Sequence, residues 1–354
     1  MNSSTSTDWS FAKDIETVVT DVGASWRDLT DKKLFITGGT GFIGRWLLET
    51  LKYANERYEL GVSATVLTRN PSAFLKKAPQ FSGYHAFSFV AGDVRNFDFP
   101  TGRFSHVIHA ATDASAELNE KDPRLMFDTV LEGTRRTLDL ALKNGAERFL
   151  NLSSGAVYGI QPWEMTRVAE SWMGAADCTK SVNTYAEAKR AAEMLCAIYS
   201  KQFGLKISTA RIFAVLGPFL PIDTHFAAGN FIRDAIAGKK IVVKSSGAAV
   251  RSYLYATDLI TALWLMLIHA EPGRSYNVGS ETPVSIKLLA ERVSELLGKE
   301  GCDILGQDDA TWNPGRYVPD TRLLRETLSI SQKVSLDEAI LRTAIWNGWT
   351  PWRS

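Results

Sequence analysis

Short apolar runs alternate with longer amphipathic segments between Lys33 and about residue 215. Apolar runs predict strands, whereas apolar residues three or four positions apart predict helices. The predicted strands are Leu34–Thr37, Ala64–Thr68, Ala86–Val90, His106–Ala110, Arg148–Leu152 and Lys206–Ile212. Helices are predicted to begin near Ile43, Pro123 and Thr184. This alternation predicts an α/β fold with a doubly wound parallel sheet.

The helix that begins near Thr184 carries an apolar stripe. Ala191, Met194, Leu195 and Ile198 have helical spacing, so they are predicted to form its buried face. A second stripe lies in the first 30 residues, where Phe11, Ile15, Val18 and Val19 predict a short helix after a polar tail. We expect this extension to pack on the outside of the fold.

The chain becomes richer in loops after "LGPFLP" at residues 216–221. Helices are predicted there at Asn230–Ala237, Asp258–Ile268, Ile286–Leu297 and Leu336–Ile345. We expect three parts: a helical extension over residues 1–30, a dinucleotide-binding domain over 31–215 to which segments near 251–280 return, and a substrate-binding cap over most of 216–354.

Composition narrows the class of partner. The net charge of the 354 residues is +1 and Lys and Arg are scattered, which argues against binding to nucleic acid or to a membrane surface. Cys178, Cys196 and Cys302 lack metal-ligand spacing and are expected to be reduced thiols. The N-terminus has no signal-peptide pattern, and the apolar stretch at 261–270 is too short to cross a bilayer. We expect a cytoplasmic protein without a metal.

The stretch "LFITGGTGFIG" places glycines directly between a strand and a helix. A turn this tight requires residues without a Cβ, so that backbone N–H groups and the helix N-terminus can approach a pyrophosphate. The predicted cofactor contacts here are Gly38, Gly41, Phe42, Ile43 and Gly44. The turn predicts a Rossmann-type site for a dinucleotide.

The ends of the next strands predict which dinucleotide binds. At the position about 20 residues past the turn, where an acid would hold the adenosine 2′-hydroxyl of NAD, the chain has Thr68 and Arg69. A guanidinium fork suits a 2′-phosphate, which favours NADP and leaves NAD as the alternative. Further contacts are predicted for the adenine at Asp93 and Val94, and for the middle of the cofactor at Ala110, Ala111 and Thr112.

The candidate catalytic residues are Ser154, Tyr185 and Lys189. Tyr185 and Lys189 lie four apart on a predicted helix and so share one face, and Ser154 lies two residues past the predicted end of the fifth strand. Lowering a tyrosine pKa from about 10 to about 7 requires about 4 kcal/mol, which an ammonium and a charged nicotinamide can supply. Lys189 would then depress the pKa of Tyr185, Tyr185 would move the proton, and Ser154 would bind the substrate oxygen.

These motifs resemble the extended short-chain dehydrogenase/reductase family, in particular its nucleotide-sugar epimerases and dehydratases. The TGxxGxxG, YxxxK and strand-end serine patterns are matched, and the likeness runs from about Lys32 to Trp346 through "EGTRRTLDLA", "YNVGS" and "GRYVPDTRLLRETL".

The resemblance implies a cap that holds a nucleoside diphosphate (NDP) sugar. Asn230 would contact the diphosphate, and Arg251 and Arg316 would contact the nucleotide or its phosphates. It also implies a homodimer formed through the helices that bear Arg135 and Tyr185.

Three positions depart from the family pattern. Ala214 stands where asparagine is frequent, Ser252 follows Arg251 where aspartate is usual, and Val130 replaces an asparagine before "xxGT". Ala214 removes a polar substrate contact, and Val130 would alter the backbone of the proton relay.

The residues after Ser154 bear on the reaction. A 4,6-dehydratase needs an extra acid and base, which this family commonly places there, but the chain has Gly155 and Ala156. This favours an epimerase that acts at C4 of an NDP-hexose. The second alternative is an NADPH-dependent 4-keto-sugar reductase. A dehydratase comes third, with Asp113, Glu164 or Glu187 as the acid.

Two readings lie outside this group. An NADP-sensing regulator would be expected to have lost one or more of the Ser, Tyr and Lys residues, but all three are present here. A dehydrogenase of a non-nucleotide substrate would not bind NDP-sugars. His225 in the cap loop could face a sugar, although a lone histidine is more often structural, and His109 is expected to pack at its strand end.

Overall fold

The computed structural model describes residues 9–112, 116–223, 226–298, 300–307 and 314–350. Its helices are α1 (Phe11–Val22), α2 (Phe42–Tyr58), α3 (Pro71–Lys77), α4 (Ala116–Lys121), α5 (Pro123–Asn144), α6 (Thr184–Phe203), α7 (Ala227–Ile236), α8 (Ala256–His269), α9 (Ile286–Leu297), α10 (Arg322–Leu328) and α11 (Leu336–Trp346). Its strands are β1 (Lys33–Thr37), β2 (Ser63–Thr68), β3 (Phe87–Ala91), β4 (His106–His109), β5 (Arg148–Ser154), β6 (Ile207–Ile212), β7 (Val215–Leu216), β8 (Ile241–Val243), β9 (Val250–Arg251), β10 (Leu254–Tyr255), β11 (Ser275–Val278), β12 (Val284–Ser285), β13 (Cys302–Ile304) and β14 (Arg316–Tyr317).

Seven parallel strands form the main sheet in the order β3-β2-β1-β4-β5-β6-β11. The predicted α/β fold with a Rossmann-type sheet is therefore confirmed. The strand order reverses between β1 and β4, which is where a crevice for a ligand opens in such sheets. The last strand, β11, was not among the six predicted strands, because its four residues give too short a periodic signal.

The predicted strands and helices agree with the structure to within a few residues. The difference that matters is at β5, which was predicted to end at Leu152 but continues to Ser154. Ser153 and Ser154 pair with Arg211 and Ile212 of β6, so the serine hydroxyls belong to the sheet edge and not to a loop.

The predicted buried face of α6 is wrong. Met194 and Ile198 are 62% and 38% exposed, whereas Ala188, Ala192 and Cys196 are buried. Helix α6 lies against α5, and small side chains on that face let the two helices approach closely. These two large apolar residues are left on the outer side, whereas Leu195 of the same predicted face is partly buried against the core.

The N-terminal extension packs as an outer layer over α2 and α8. Ile15, Val18 and Val19 are almost fully buried, so the inner face of α1 is continuous with the main core. Three of the tryptophans, Trp26, Trp46 and Trp264, are fully buried.

A buried carboxylate connects α1 to the C-terminal half. Asp14 is 1% exposed and accepts hydrogen bonds from Tyr255 Oη at 2.6 Å, Arg342 Nη1 at 2.7 Å and Trp9 Nε1 at 3.0 Å. Tyr255 belongs to β10 and Arg342 to α11, so one side chain of the extension holds two elements of the other end of the chain.

A second apolar core lies between α7, α9 and α11 and supports the remaining short strands. None of the helices in the described ranges combines the length and the apolarity that a membrane crossing requires. The same residues contain no cluster of three or more His, Cys, Asp or Glu that could hold a metal.

Removing the Asp14 carboxylate should destabilise the fold strongly. Asp14→Ala leaves the buried Tyr255 hydroxyl and the Arg342 guanidinium without that partner, so we expect a loss of about 3 kcal/mol in the free energy of unfolding. Glu16→Ala is the matched control on the same helix, because Glu16 makes an exposed ion pair with Arg57 at 3.4 Å and should change stability by less than about 1 kcal/mol. Urea unfolding measures both, and equal losses would contradict this interpretation.

Candidate active site

The turn between β1 and α2 packs its backbone directly against the end of β4. Gly38 has φ +69°, and a Cβ there would lie 2.5 Å from the carbonyl carbon of Ala110. A Cβ on Gly44 would lie 2.2 Å from the Gly38 oxygen. Gly41 caps α2, which brings the N–H groups of Phe42 and Ile43 to the helix N-terminus. The turn therefore forms a concave backbone surface that fits the pyrophosphate of a dinucleotide.

A directional hydrogen-bond chain fixes the strand ends beneath this turn. Thr134 donates to the Val130 carbonyl at 2.7 Å, so its hydroxyl oxygen accepts from His109 Nε2 at 3.1 Å. The other ring nitrogen, Nδ1, then accepts from Thr37 Oγ1 at 2.8 Å, and Thr37 accepts from the Ala111 N–H at 3.2 Å.

His109 is neutral in this chain of hydrogen bonds. It is buried, as predicted, and burial lowers its pKa to about 3. The arrangement also shows how Val130 fits, because its backbone carbonyl, and not a side chain, is the terminal acceptor.

The predicted adenosine contacts lie at the ends of β2 and β3. The buried Thr68 hydroxyl is 3.3 Å from that of Thr40, whereas Arg69 is exposed. The carboxylate of Asp93 accepts two hydrogen bonds from the Arg95 guanidinium at 2.8 and 2.9 Å, which lowers the pKa of Asp93. The charge of Arg69 also lowers the pKa of Asp93, so an adenine contact by Asp93 would be made by a carboxylate already held in place.

Ser154 is the last residue of β5 and caps the short turn Gly155–Tyr158. Its Oγ accepts from the Ala156 N–H at 3.2 Å, which leaves the hydroxyl proton for a ligand or a neighbouring tyrosine. The alternation of the strand sends Ser153 to the other face, where its hydroxyl donates to Glu193 at 2.6 Å. The geometry therefore separates a serine that faces the crevice from a structural one.

Tyr185 and Lys189 lie on one face of α6, as their spacing predicts. Asn119 of α4 accepts from the Tyr185 N–H at 2.9 Å and so supports the start of the helix. The Lys189 ammonium donates to Thr112 Oγ1 and to the Leu152 carbonyl, both at 2.8 Å, and lies 6.0 Å from the centre of the Tyr185 ring. Two of its three protons are used, and the third is available to a ligand.

The electrostatics of this pair differ from the sequence argument. That argument has Lys189 depress the pKa of Tyr185, but burial raises the pKa of Tyr185, and the opposing effect comes from the Ser154 hydroxyl. Burial also lowers the pKa of Lys189 to about 8. Without a cofactor Tyr185 therefore stays a neutral phenol, because the Lys189 ammonium is directed toward Thr112 and Leu152.

The cap residues fall into two groups. Arg251 and Arg316 lie on the paired strands β9 and β14, which brings them together as the predicted substrate contacts require. Arg251 Nη1 donates to the carbonyls of Val250 and Gly315, whereas the Arg316 guanidinium lies 4.6 Å from the ring centre of Trp163. Asn230 lies apart on α7, where its Oδ1 accepts from Arg233 at 3.0 Å.

Tyr317 is the residue that the sequence argument missed. It follows Arg316 in the quoted "GRYVPDT" stretch, and β14 carries its hydroxyl to 3.4 Å from Ser154 Oγ. The two residues are 163 positions apart, so neither spacing nor periodicity could connect them. The motif could have indicated Tyr317, because this residue directly follows Arg316, the substrate contact that was predicted from the same motif.

The alternative acids have different positions. Glu164 is exposed, Glu187 faces Arg190 at 3.6 Å, and Asp113 and His225 lie outside the described residues. Of the departures from the family pattern, Ser252 has a buried hydroxyl without a hydrogen-bond partner, and the Ala214 carbonyl accepts from the Leu254 N–H at 3.0 Å.

Comparisons with known proteins identify the family of the chain. The sequence model described as "NAD dependent epimerase/dehydratase family" matches residues 34–279. UDP-glucuronic acid decarboxylase 6 of Arabidopsis thaliana is 31% identical over 314 residues, which cover 88% of this chain and 87% of that protein.

Solved structures share the fold at lower identity. A UDP-glucose 4-epimerase from Thermotoga maritima, solved with UDP-glucose, superimposes with a TM-score of 0.75 at 21% identity over 89% of this chain and 98% of that one. A dTDP-glucose 4,6-dehydratase from Streptomyces venezuelae, solved with NAD bound, has a TM-score of 0.75 at 21% identity over 89% and 96%.

The match to the family over most of the chain confirms the resemblance drawn from the motifs. The chain therefore belongs to the NAD dependent epimerase/dehydratase family, the nucleotide-sugar group of the extended short-chain dehydrogenases/reductases.

Proposed function

We propose that the protein is an NAD(P)-dependent epimerase that inverts an NDP-hexose through transient oxidation at C4. Ser154 binds the sugar hydroxyl, Tyr185 takes its proton, and Lys189 holds the nicotinamide ribose with its remaining N–H. When bound, the cofactor would supply the acceptor and then the donor of the C4 hydride, and its return to the opposite face of the sugar would give the inverted product. The turn fits the pyrophosphate of this cofactor because Gly41, at the N-cap of α2, carries no side chain. Thr112 accepts a hydrogen bond from Lys189.

Tyr185 needs help from a bound positive charge to act as the base. In the chain itself burial raises its pKa. A nicotinamide cation beside the phenol favours the phenolate, which makes proton removal depend on cofactor binding. The order of binding that this favours is cofactor first and sugar second.

The packing around Gly155 is the observation that favours an epimerase over a dehydratase. A Cβ at this position would lie 2.6 Å from Phe213 Cζ and 2.7 Å from Tyr317 Oη. An acidic side chain directly after Ser154 therefore has no room, which removes the usual place for the acid of a dehydratase. An epimerase needs no such acid, because the keto sugar only turns over before the hydride returns.

Two other reactions share the first step. A 4-keto-sugar reductase would run the hydride transfer from NADPH to the substrate only. Decarboxylation is favoured as an alternative by the 31% identity to a UDP-glucuronic acid decarboxylase. A 4-keto uronic acid is a β-keto acid, so its C5–C6 electron pair can pass into an enolate as carbon dioxide leaves, without a base at C5. The recorded side-chain neighbours of Ser154 are the neutral hydroxyls of Tyr317 and Tyr185, which suit an uncharged sugar better.

NADP is the cofactor that the adenosine end supports best. Arg69 is exposed at the end of β2, beside the buried Thr68, where a 2′-phosphate would lie. NAD remains the alternative, since the family description names it and the dehydratase neighbour holds it.

A homodimer through α5 and α6 belongs to the same proposal. Met194 and Ile198 lie one turn apart on α6 and are 62% and 38% exposed. A second copy of the chain would cover them, and burying two such side chains favours association.

Product analysis tests the reaction. Purified protein incubated with UDP-, dTDP-, GDP- and CDP-sugars, with and without NADPH, should give a product of unchanged mass and inverted stereochemistry by mass spectrometry and NMR. Gain of two hydrogens would support the reductase, loss of water the dehydratase, and loss of carbon dioxide the decarboxylase.

Tyr185→Phe should lower kcat by about 100- to 10,000-fold because it removes the proton acceptor. Cofactor affinity, measured by calorimetry, should stay unchanged, since the ring and Lys189 remain. Retained turnover in this variant would contradict a mechanism in which Tyr185 takes the proton.

Arg69→Ala should weaken NADP binding by about tenfold or more, because a charge-assisted contact to the 2′-phosphate is lost, and should leave NAD binding unchanged. Arg27→Ala, which removes an exposed arginine of the N-terminal extension, is the control. Equal effects on the two cofactors would mean that Arg69 does not read the phosphate.

Cofactor affinity should fall as the pH rises through about 8, because the pKa of Lys189 is lowered from 10.5 to about 8 and the ammonium is lost above that value. Below it Lys189 is charged and its third N–H can hold the ribose. Calorimetric titrations on both sides of this pH measure the effect, and Lys189→Met should abolish the dependence. A wild-type profile that stays flat would refute this role for Lys189.

A further inference from the structure

Tyr317 reaches the reaction centre from the cap. Its strand β14 pairs with β9, opposite Arg251, and its ring packs on the buried Phe213 with ring centres 4.4 Å apart. The hydroxyl lies 3.4 Å from Ser154 Oγ and 3.4 Å from the Ile212 carbonyl. These separations are at the long limit of a hydrogen bond, so the hydroxyl is close to Ser154 without being committed to it.

The residue after Ser154 is shaped around this hydroxyl. A Cβ at Gly155 would lie 2.7 Å from Tyr317 Oη and 2.6 Å from Phe213 Cζ. Tyr317 therefore occupies the volume into which a side chain at position 155 would point. The glycine leaves the space in which the tyrosine hydroxyl lies.

The chemical state of Tyr317 suits a donor. Burial raises its pKa well above the ordinary value, and the nearby Tyr185 adds to that effect. The phenol therefore keeps its proton and can donate a hydrogen bond without transferring the proton. The ring contact with Phe213 and the pairing of β14 fix where the donor points, which lowers the entropy lost when it binds a ligand.

Two hydroxyl oxygens 3.4 Å apart can both contact a third oxygen at ordinary hydrogen-bond distance. We propose that Tyr317 contacts the substrate at the reacting centre, where it and Ser154 donate hydrogen bonds to the same sugar oxygen, and that Gly155 is present to admit it. This inference rests on the proposed function, because the oxygen is that of the NDP-sugar carbon being oxidised. Negative charge that develops on this oxygen as its proton leaves is stabilised by both donors.

Tyr317→Phe tests the donor, because it removes the hydroxyl and keeps the ring on Phe213. We expect kcat to fall about 10- to 100-fold. The affinity for UDP-glucose or dTDP-glucose, relative to that for UDP or dTDP alone, should fall about tenfold. A merely structural role would alter the melting temperature or the affinity for the free nucleotide, and neither should change. Tyr276→Phe is the matched control, since its hydroxyl accepts from the Glu271 N–H away from the crevice.

A double-mutant cycle tests whether the two hydroxyls share one oxygen. Ser154→Ala, Tyr317→Phe and the double variant should show non-additive losses in kcat, because the two donors act on one charge. Additive losses, or a Tyr317→Phe enzyme with unchanged kcat and unchanged sugar-to-nucleotide affinity ratio, would overturn the proposal.

The two proposals fail in different ways. If wild-type protein inverts an NDP-hexose without a change of mass and Tyr185→Phe does not, the proposed function stands whatever Tyr317→Phe does. If wild-type protein neither binds nor converts any NDP-sugar of the panel, both proposals are wrong.

Discussion

The contact between the β1–α2 turn and the end of β4 is the constraint on which the site depends. Backbone meets backbone there, because a Cβ on Gly38 would lie 2.5 Å from the carbonyl carbon of Ala110, and a Cβ on Gly44 would collide with the turn itself. Thr37, His109 and Thr134 then lock the two strand ends from below through hydrogen bonds with a single possible direction. Because this contact fixes the switch point of the sheet, it also fixes where α6 presents Tyr185 and where β5 ends at Ser154.

The second half of the chain contributes further residues beside this contact. Asp14 fastens α1 to β10 and α11, and β9 pairs with β14 so that Arg251, Arg316 and Tyr317 arrive together. The proposed reaction centre is thus made by two parts of the chain that meet at Gly155. In the sequence Gly155 is notable for the absence of an acid. In the structure the Tyr317 hydroxyl lies where a side chain at this position would point.

The sequence predicted the parts of this protein that are local. A glycine turn between strand and helix, a YxxxK spacing and short apolar runs each depend on residues close in the chain, and the sheet and the facing of Tyr185 and Lys189 followed from them. Long-range proximity was not readable, so the contact between Ser154 and Tyr317 was missed. The buried face of α6 was wrong for a different reason: close helix packing selects alanine and cysteine, whereas apolar periodicity is dominated by the larger Met194 and Ile198. The direction of the Tyr185 pKa also required the structure, because burial outweighed an ammonium that turned out to point elsewhere.

The central claim is that the sugar is oxidised and reduced again at one carbon, with the hydride kept on the enzyme in between. Conversion of an NDP-hexose deuterated at C4 tests this most directly. We expect a primary isotope effect on kcat/KM and an inverted product that still carries the deuterium at C4. Turnover without an isotope effect, or with the deuterium lost to water, would contradict it.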